Sequence, residues 1–235
     1  MQVIKYLRLP FLFDAGRMQD EVQKIAAANW QLHYQKLHYE GEWTALPLRS
    51  VGGNATHVIV TPGSMEQYQD TVFLKESPYL RQVVAQFNCP LRTVRLLKLD
   101  AGAIIKEHRD LELCFEKGEV RLHIPVLTDP AVEFYLDGER VQLKEGECWY
   151  MNFNLPHSIH NKSKVNRVHL VIDAEVNDWV KELFSRNDLP EKKETKEEDP
   201  YDIEVKKQMI RRFREMNTPK GHELANKLEK EIAGL

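Results

Sequence analysis

Apolar positions along the chain follow two different periods. Between Gln19 and Trp30, residues Val22, Ile25, Ala26 and Trp30 recur at helical spacing, which predicts an amphipathic helix. Ser77-Pro78 pairs a residue suited to a helix N-cap with a proline suited to the first turn, and Leu80, Val83, Val84 and Phe87 follow on one face. Glu42 to Leu48 and Thr56 to Thr61 read as strands flanking Gly52-Gly53-Asn54. From residue 92 to 173 the rhythm shortens into β-rich segments: Arg92 to Leu99, Val120 to Leu127, Val132 to Leu136, Arg140 to Leu143, Cys148 to Asn152 and Arg167 to Asp173. Asp100-Ala101-Gly102, Asp129-Pro130, Asp137-Gly138 and Glu145-Gly146 supply the turns between them. Asp137-Gly138 between two apolar runs predicts a two-residue hairpin. Helical spacing returns in Trp179, Val180, Leu183 and Phe184, then in Met209, Ile210 and Phe213, and again in Leu224, Leu228 and Ile232. Short antiparallel strands with Gly and Pro turns predict a mainly β protein with flanking helices, built as a sandwich, jelly roll or barrel.

Composition adds boundaries and exclusions. Residues 191–199 hold eight charged side chains in nine, directly after Pro190. Such a run is a solvated linker, so we expect one domain over residues 1–185, with its core at 92–175, and a charged linker with a helical extension over 186–235. Lys plus Arg is 33 against 36 Asp plus Glu, a formal net charge of −3, which gives no electrostatic case for a nucleic-acid partner. No apolar run approaches the roughly 18 residues of a membrane span, and Leu9 to Phe13 is too short for a signal-peptide core. Cys89, Cys114 and Cys148 are widely spaced and form no CxxC pair. Neither a disulfide framework nor a structural zinc site is expected, and a reducing cytoplasm suits the chain best.

The candidate chemistry lies in the β-rich stretch. His108-Arg109-Asp110 places a histidine and an aspartate two apart, on one side of an extended chain. Although His108-Arg109-Asp110-Leu111 spells the start of a kinase catalytic loop, the asparagine that loop needs is replaced by Phe115, and no Gly-rich ATP loop or DFG triplet is present. His157 follows 47 residues after Asp110, and Arg167 ten after that. In the stretch from Arg167 to Asp173 one side is apolar while the other carries Arg167, His169 and Asp173; Arg121 and His123 repeat the arrangement beside Val120, Leu122, Ile124 and Val126. A single polar row of this kind ordinarily faces water. If both rows face inward, buried guanidinium groups require an anion. Two imidazoles and one carboxylate on one metal face leave the open positions expected of non-haem Fe(II) oxygenases, and His108, Asp110 and His157 can supply that set. The open positions would take the keto-acid end of 2-oxoglutarate and O2, with Arg167 holding the remote carboxylate in a bidentate pair.

The combined pattern is more specific than its parts. Val94-Arg95-Leu96, Gly102-Ala103, His108-Arg109-Asp110 and Gly118 to Val126, followed by Gly146 to Tyr150, Pro156-His157-Ser158, Asn161 and Arg167 to Asp173, resemble the aspartyl/asparaginyl β-hydroxylase family of Fe(II)/2-oxoglutarate-dependent dioxygenases. Residues 92–175 carry the resemblance, Glu42 to Ser50 looks like an N-terminal part of it, and nothing beyond about residue 185 matches. It implies a double-stranded β-helix, the cupin-like jelly roll. It also implies iron at His108, Asp110 and His157, the cosubstrate carboxylate at Arg167, and Arg121 and His123 at the cosubstrate or substrate end of the pocket. Asp110 resembles the carboxylate kept by bacterial proline hydroxylases and absent from animal aspartyl hydroxylases. The expected substrate is an amino acid, or an aspartyl, asparaginyl or prolyl residue of a peptide, hydroxylated with release of succinate and CO2. Arg95, Arg121 and Arg49 are the candidates for its carboxylate. His160 is expected beside the site on a loop, His169 either behind it or as a satisfied core histidine, and His33, His38, His57 and His222 as ordinary surface or core residues. Two other readings remain: a cupin-like barrel that binds a metal or small anion without oxygen chemistry, and an interaction protein working through its C-terminal helices.

Overall fold

The computed structural model describes residues 3–26, 29–58 and 67–186, together with ten positions between 207 and 232. In chain order its strands are β1 (Tyr6–Leu12), β2 (Gln31–Leu32), β3 (Tyr39–Glu40), β4 (Trp43–Val51), β5 (Tyr68–Asp70), β6 (Leu91–Leu99) and β7 (Ile104–His108). There follow β8 (Glu119–Leu127), β9 (Val132–Leu136), β10 (Glu139–Arg140), β11 (Glu147–Met151), β12 (His157–Asn161) and β13 (Arg167–Glu175). The helices are α1 (Ala15–Ala26), α2 (Val72–Lys75), α3 (Pro78–Val84) and α4 (Asp178–Arg186). One sheet runs β1-β11-β8-β13-β6-β4-β2 with β5 on β4, and a smaller one runs β10-β9-β12-β7-β3. This is the cupin-like jelly roll that the family resemblance implies, one of the three architectures left open by the pattern of short strands.

Period-2 alternation divides the core in two. On β8 and β13, Val120, Leu122, Ile124, Val126, Val168, Leu170 and Ile172 join the cluster that also contains Met18, Leu80, Val83 and Phe184 from α1, α3 and α4. The opposite face of the large sheet meets the small one through Leu97, Leu99, Phe134, Phe153, Ile159 and Val171. Arg95, Arg121, His123, Arg167, His169 and Asp173 occupy this inner space between the sheets rather than a wetted surface. All but Arg121 are buried to within a few per cent of full enclosure.

Local chemistry accounts for where the elements differ from expectation. The helix predicted from Gln19 begins at Ala15, because Asp14 caps it: its Oδ1 accepts the Arg17 N–H (3.1 Å). That helix ends by Ala26, so Trp30 lies outside it. Helix α3 starts at Pro78 as predicted, yet the Ser77 hydroxyl donates backward to Phe73 O (2.8 Å). The Tyr79 and Leu80 amides are capped instead by the two carboxylate oxygens of Glu21 from α1 (2.8 and 2.9 Å). Thr56 to Val58 is not a strand, since both the amide and the hydroxyl of Thr56 turn back to Asn54 Oδ1 (2.9 Å each); Ile59 to Thr61 lie outside the described residues. The segment from Arg140 pairs only through Glu139–Arg140. At the hairpin, Asp137 (φ 50°) and Gly138 (φ 74°) both take left-handed conformations, as a two-residue type I′ turn requires. Proline is tolerated in β1 because that strand is an edge.

Two compact units divide the chain, Met1–Glu191 and Lys192–Leu235. The described positions of the second are helical, including Ile210, Arg214 and Ala225, and Arg214 there pairs with Glu229 (3.0 Å). Met209, Phe213, Leu224, Leu228 and the charged run at 191–199 lie outside the described residues. The cysteines are free, with Cys114 and Cys148 buried as small apolar side chains. No helix among the described residues is long and apolar enough to cross a membrane.

Candidate metal centre and its cavity

Two histidines come from paired strands. His108 ends β7, His157 opens β12, and the two are directly opposite in the antiparallel register, with ring centroids 4.2 Å apart. His108 Nδ1 lies 2.7 Å from Lys106 O and His157 Nδ1 lies 3.0 Å from Leu155 O. A carbonyl only accepts, so each Nδ1 carries the proton and each Nε2 keeps a free lone pair. Asp110 lies beyond the end of β7, on a loop docked to the connection between β11 and β12. Its amide donates to Phe153 O (2.9 Å), Arg109 Nη1 donates to Asn154 O (3.0 Å) and the Glu112 amide to Asn154 Oδ1 (3.1 Å). These bonds hold Glu112 at φ 66°. The three residues present ligand atoms within 4.8 Å of one another.

The electrostatics suit a cation. Burial pushes the Asp110 carboxyl up, but Arg121 and the two imidazoles outweigh it and hold it below the usual carboxylate range. Burial, reinforced by His108, pushes His157 down to about 4, so its imidazole is neutral and able to ligate near pH 7. The His157 ring packs edge-on against Phe153 (4.7 Å).

A second polar group stands deeper in the barrel. Arg167 is 2% exposed, and no carboxylate among the described residues pairs with it. Burial alone lowers it to about 9. Its Nη2 lies 2.9 Å from His169 Nδ1. A guanidinium only donates, so this nitrogen accepts; His123 Nδ1, 3.2 Å from the same atom, must then carry its own proton. His123 Nε2 is left buried without a partner. Burial, with Arg167 next, keeps both imidazoles well below the ordinary histidine value.

Beside Asp110 opens a cavity of about 270 Å³ whose lining includes His33, Trp43, Arg92, Arg95, Arg121 and Asp173. His33 stacks on Trp43 at 3.5 Å between ring centroids. Arg95 donates to Asp173 (2.8 Å), and its Nε has no partner. Arg49 is not brought to this site. The register shifts between Pro47, opposite Arg95, and Arg49, opposite Val94. Arg49 therefore shares the outer face with Val94, where it pairs with Asp70 (2.6 Å) and lines a separate cavity of about 550 Å³ with Leu74, Val84 and Phe87. His160 is not on a loop: it lies in β12, opposite Ile104 and Glu133, on the side away from His157.

Residues 14–176 match the family model described as Aspartyl/Asparaginyl beta-hydroxylase. The chain belongs to this family. Among curated proteins it is 30% identical over 178 residues to the L-proline cis-4-hydroxylase of Rhizobium meliloti (strain 1021), covering 74% of this chain and 62% of that protein. It is 27% identical over 164 residues to L-proline cis-3-hydroxylase 2 of a Streptomyces species, covering 68% and 56%. The chain thus spans under two thirds of the length of either relative. Among solved structures, a non-heme alpha-ketoglutarate-dependent epimerase of nogalamycin biosynthesis aligns with a TM-score of 0.47 at 12% identity, over 84% of this chain and 90% of that one.

Within this family member, the sequence alone misses His33, His38 and Phe153 as neighbours of the site. His38 lies 5.0 Å from His108, ring to ring. His33 directly follows the two-residue β2 and His38 closes a three-residue turn, so neither carries a periodic signal, and Phe153 reads as an ordinary core residue. Only the proximity of Phe153 to the His157 motif could have marked it.

Proposed function

We propose that the chain is an Fe(II)- and 2-oxoglutarate-dependent hydroxylase acting on a free amino acid, with residues 1–185 as the catalytic domain and 186–235 as an extension. The observation that carries the reading is the pairing of a one-sided His108–Asp110–His157 set with a buried guanidinium that has no anionic partner among the described residues. Two Nε2 lone pairs and a carboxylate fit a divalent ion with open positions. Arg167, held by His169 and lacking a carboxylate partner among the described residues, fits the remote carboxylate of a dicarboxylic acid. His123, beside His169, completes the polar end of that pocket. Bound together there, iron and 2-oxoglutarate supply oxygen activation, by which O2 is divided between a substrate C–H, converted to C–OH, and 2-oxoglutarate, converted to succinate and CO2.

The protein's own residues hold the reactants and keep water out. The strand register fixes the imidazoles, Phe153 shields His157 and His123, and His169 orients the Arg167 fork. The cavity beside Asp110 is lined by three cations, Arg92, Arg95 and Arg121, and three anions, Asp110, Glu119 and Asp173. A balanced lining of this size favours a zwitterion over a net anion or a long peptide, and Arg95, which lines the cavity, is the cation we assign to the substrate carboxylate. The two curated relatives are L-proline hydroxylases by name, which supports the same substrate class.

Incubating the full chain with Fe(II), 2-oxoglutarate and, in turn, proline, aspartate, asparagine and short peptides containing them tests this reading. The expected result is succinate formation matched to an oxygen gain in a free amino acid. Activity confined to peptides overturns the substrate class, and metal binding without 2-oxoglutarate turnover favours a cupin-like binding protein.

A further inference from the structure

Arg121 touches a candidate metal ligand, although the resemblance places it at the cosubstrate or substrate end of the pocket. Its nitrogens are committed elsewhere. Nε and Nη2 donate to Asp173 Oδ1 (2.6 Å) and Oδ2 (3.1 Å), while Nη1 donates to Asp110 Oδ2 (2.5 Å). Asp173 is itself fixed by the Thr93 hydroxyl (2.7 Å) and by Arg95 Nη2 (2.8 Å). Arg121 and Asp173 come from neighbouring strands and are opposite in the β8–β13 register.

This geometry has a direction. A guanidinium is planar, so two bonds to one carboxylate fix the plane and aim the remaining fork. The aim of Nη1 is therefore set by Asp173, deep in the barrel, and imposed on Asp110, which sits on a loop. Carboxylate χ2 is a broad, roughly two-fold torsion, and an unrestrained Asp110 would present either oxygen, or both, to a cation. With Oδ2 taken by Arg121, Oδ1 is the oxygen left beside His108 Nε2, at 3.9 Å.

We propose that Arg121, braced by Asp173, is a positioning residue that holds Asp110 as a single-oxygen metal ligand. The inference rests on the proposed Fe(II) site and assigns Arg121 to the metal rather than to 2-oxoglutarate. It also accounts for the density of ion pairs here: Thr93, Arg95, Asp173, Arg121 and Asp110 form one chain of bonds from β6 to the metal loop.

The test is anaerobic calorimetric titration of the full chain with Fe(II), then with 2-oxoglutarate at saturating Fe(II), for wild type, Arg121→Met, Arg121→Lys and the double variant Arg121→Met/Asp173→Asn. Loss of an outer-shell partner typically weakens metal binding by about 10- to 100-fold, and that loss is expected in Arg121→Met with 2-oxoglutarate affinity unchanged. Arg121→Lys keeps one cationic donor and recovers part of the loss, which a purely structural role would not predict. The double variant removes the surplus buried charge that could unfold the single one, and the same weakening is expected. Wild-type Fe(II) affinity in Arg121→Met or in the double variant overturns the proposal, as does a loss confined to 2-oxoglutarate. Failure of the wild-type chain to bind Fe(II) overturns the parent reading and is recognised before any variant is compared.

Discussion

His108 and His157 face each other across the β7–β12 ladder, and each is oriented by the carbonyl two residues before it. The strand pairing sets their separation and the backbone carbonyls set their tautomer. Replacing either histidine by alanine is expected to abolish stoichiometric Fe(II) binding while leaving the β-sheet circular dichroism intact, because neither ring supplies a ladder hydrogen bond. Retention of one iron per chain in both variants would move the site elsewhere.

Arg167 has no carboxylate partner among the described residues, so its replacement should be felt by ligand more than by fold. Charge-assisted hydrogen bonds contribute about 1.5–3 kcal/mol each, and exchanging the bidentate fork for a lysine should weaken 2-oxoglutarate by roughly 100-fold. Fe(II) affinity should not change. Fluorescence or calorimetric titration of Arg167→Lys checks this, and an unaltered 2-oxoglutarate affinity would remove Arg167 from the cosubstrate pocket.

His33 gives the protein a specific pH dependence. Burial, then Arg95 and Arg121, lowers its imidazole to about 3. Because the folded value lies below the unfolded one of about 6.5, the unfolded chain takes up the proton first. The contribution is complete above pH 6.5 and is lost as pH falls toward 3. By pH 5 the loss is about 2 kcal/mol, at about 1.4 kcal/mol per pH unit. The gap between urea midpoints at pH 7.5 and pH 5 should therefore narrow in His33→Phe, which keeps the stack on Trp43 without the titration. It should not close, because His123, His157 and His169 are also held below the ordinary value. An equal pH response in both proteins would contradict the assignment.

Glu21 joins α1 to α3 by accepting two amides at the start of α3. Glu21→Ala leaves those donors short of a partner and should cost about 1–2 kcal/mol in urea unfolding, with Fe(II) binding unchanged. No loss of stability would show that water replaces the carboxylate at no cost.

Much of this site is legible in the sequence because strong strands carry it. The alternation in β8 and β13 separates the outer apolar row from Arg121, His123, Arg167, His169 and Asp173, and the spacing of His108, Asp110, His157 and Arg167 supplies the chemistry. The strands that bear the histidines are nearly silent. His157-Ser158-Ile159-His160-Asn161 has a single apolar residue, so its pairing with β7 and β9, not its own pattern, makes it a strand. Arg49 is misplaced for a different reason: one register shift in β4 turns it to the outer face, and no periodicity in a single strand encodes that shift. The caps at Asp14 and Glu21 show the same division, since the first is local and readable while the second depends on two helices meeting.

The most direct measurement is an anaerobic titration of the metal-free chain with Fe(II) and 2-oxoglutarate, followed through the visible metal-to-ligand charge-transfer band of the chelated cosubstrate. The account predicts a band that needs both additions, saturates at one equivalent of each, and is lost in His157→Ala. Iron that binds without producing the band would contradict it and leave Arg167 a structural residue in a metal-binding barrel.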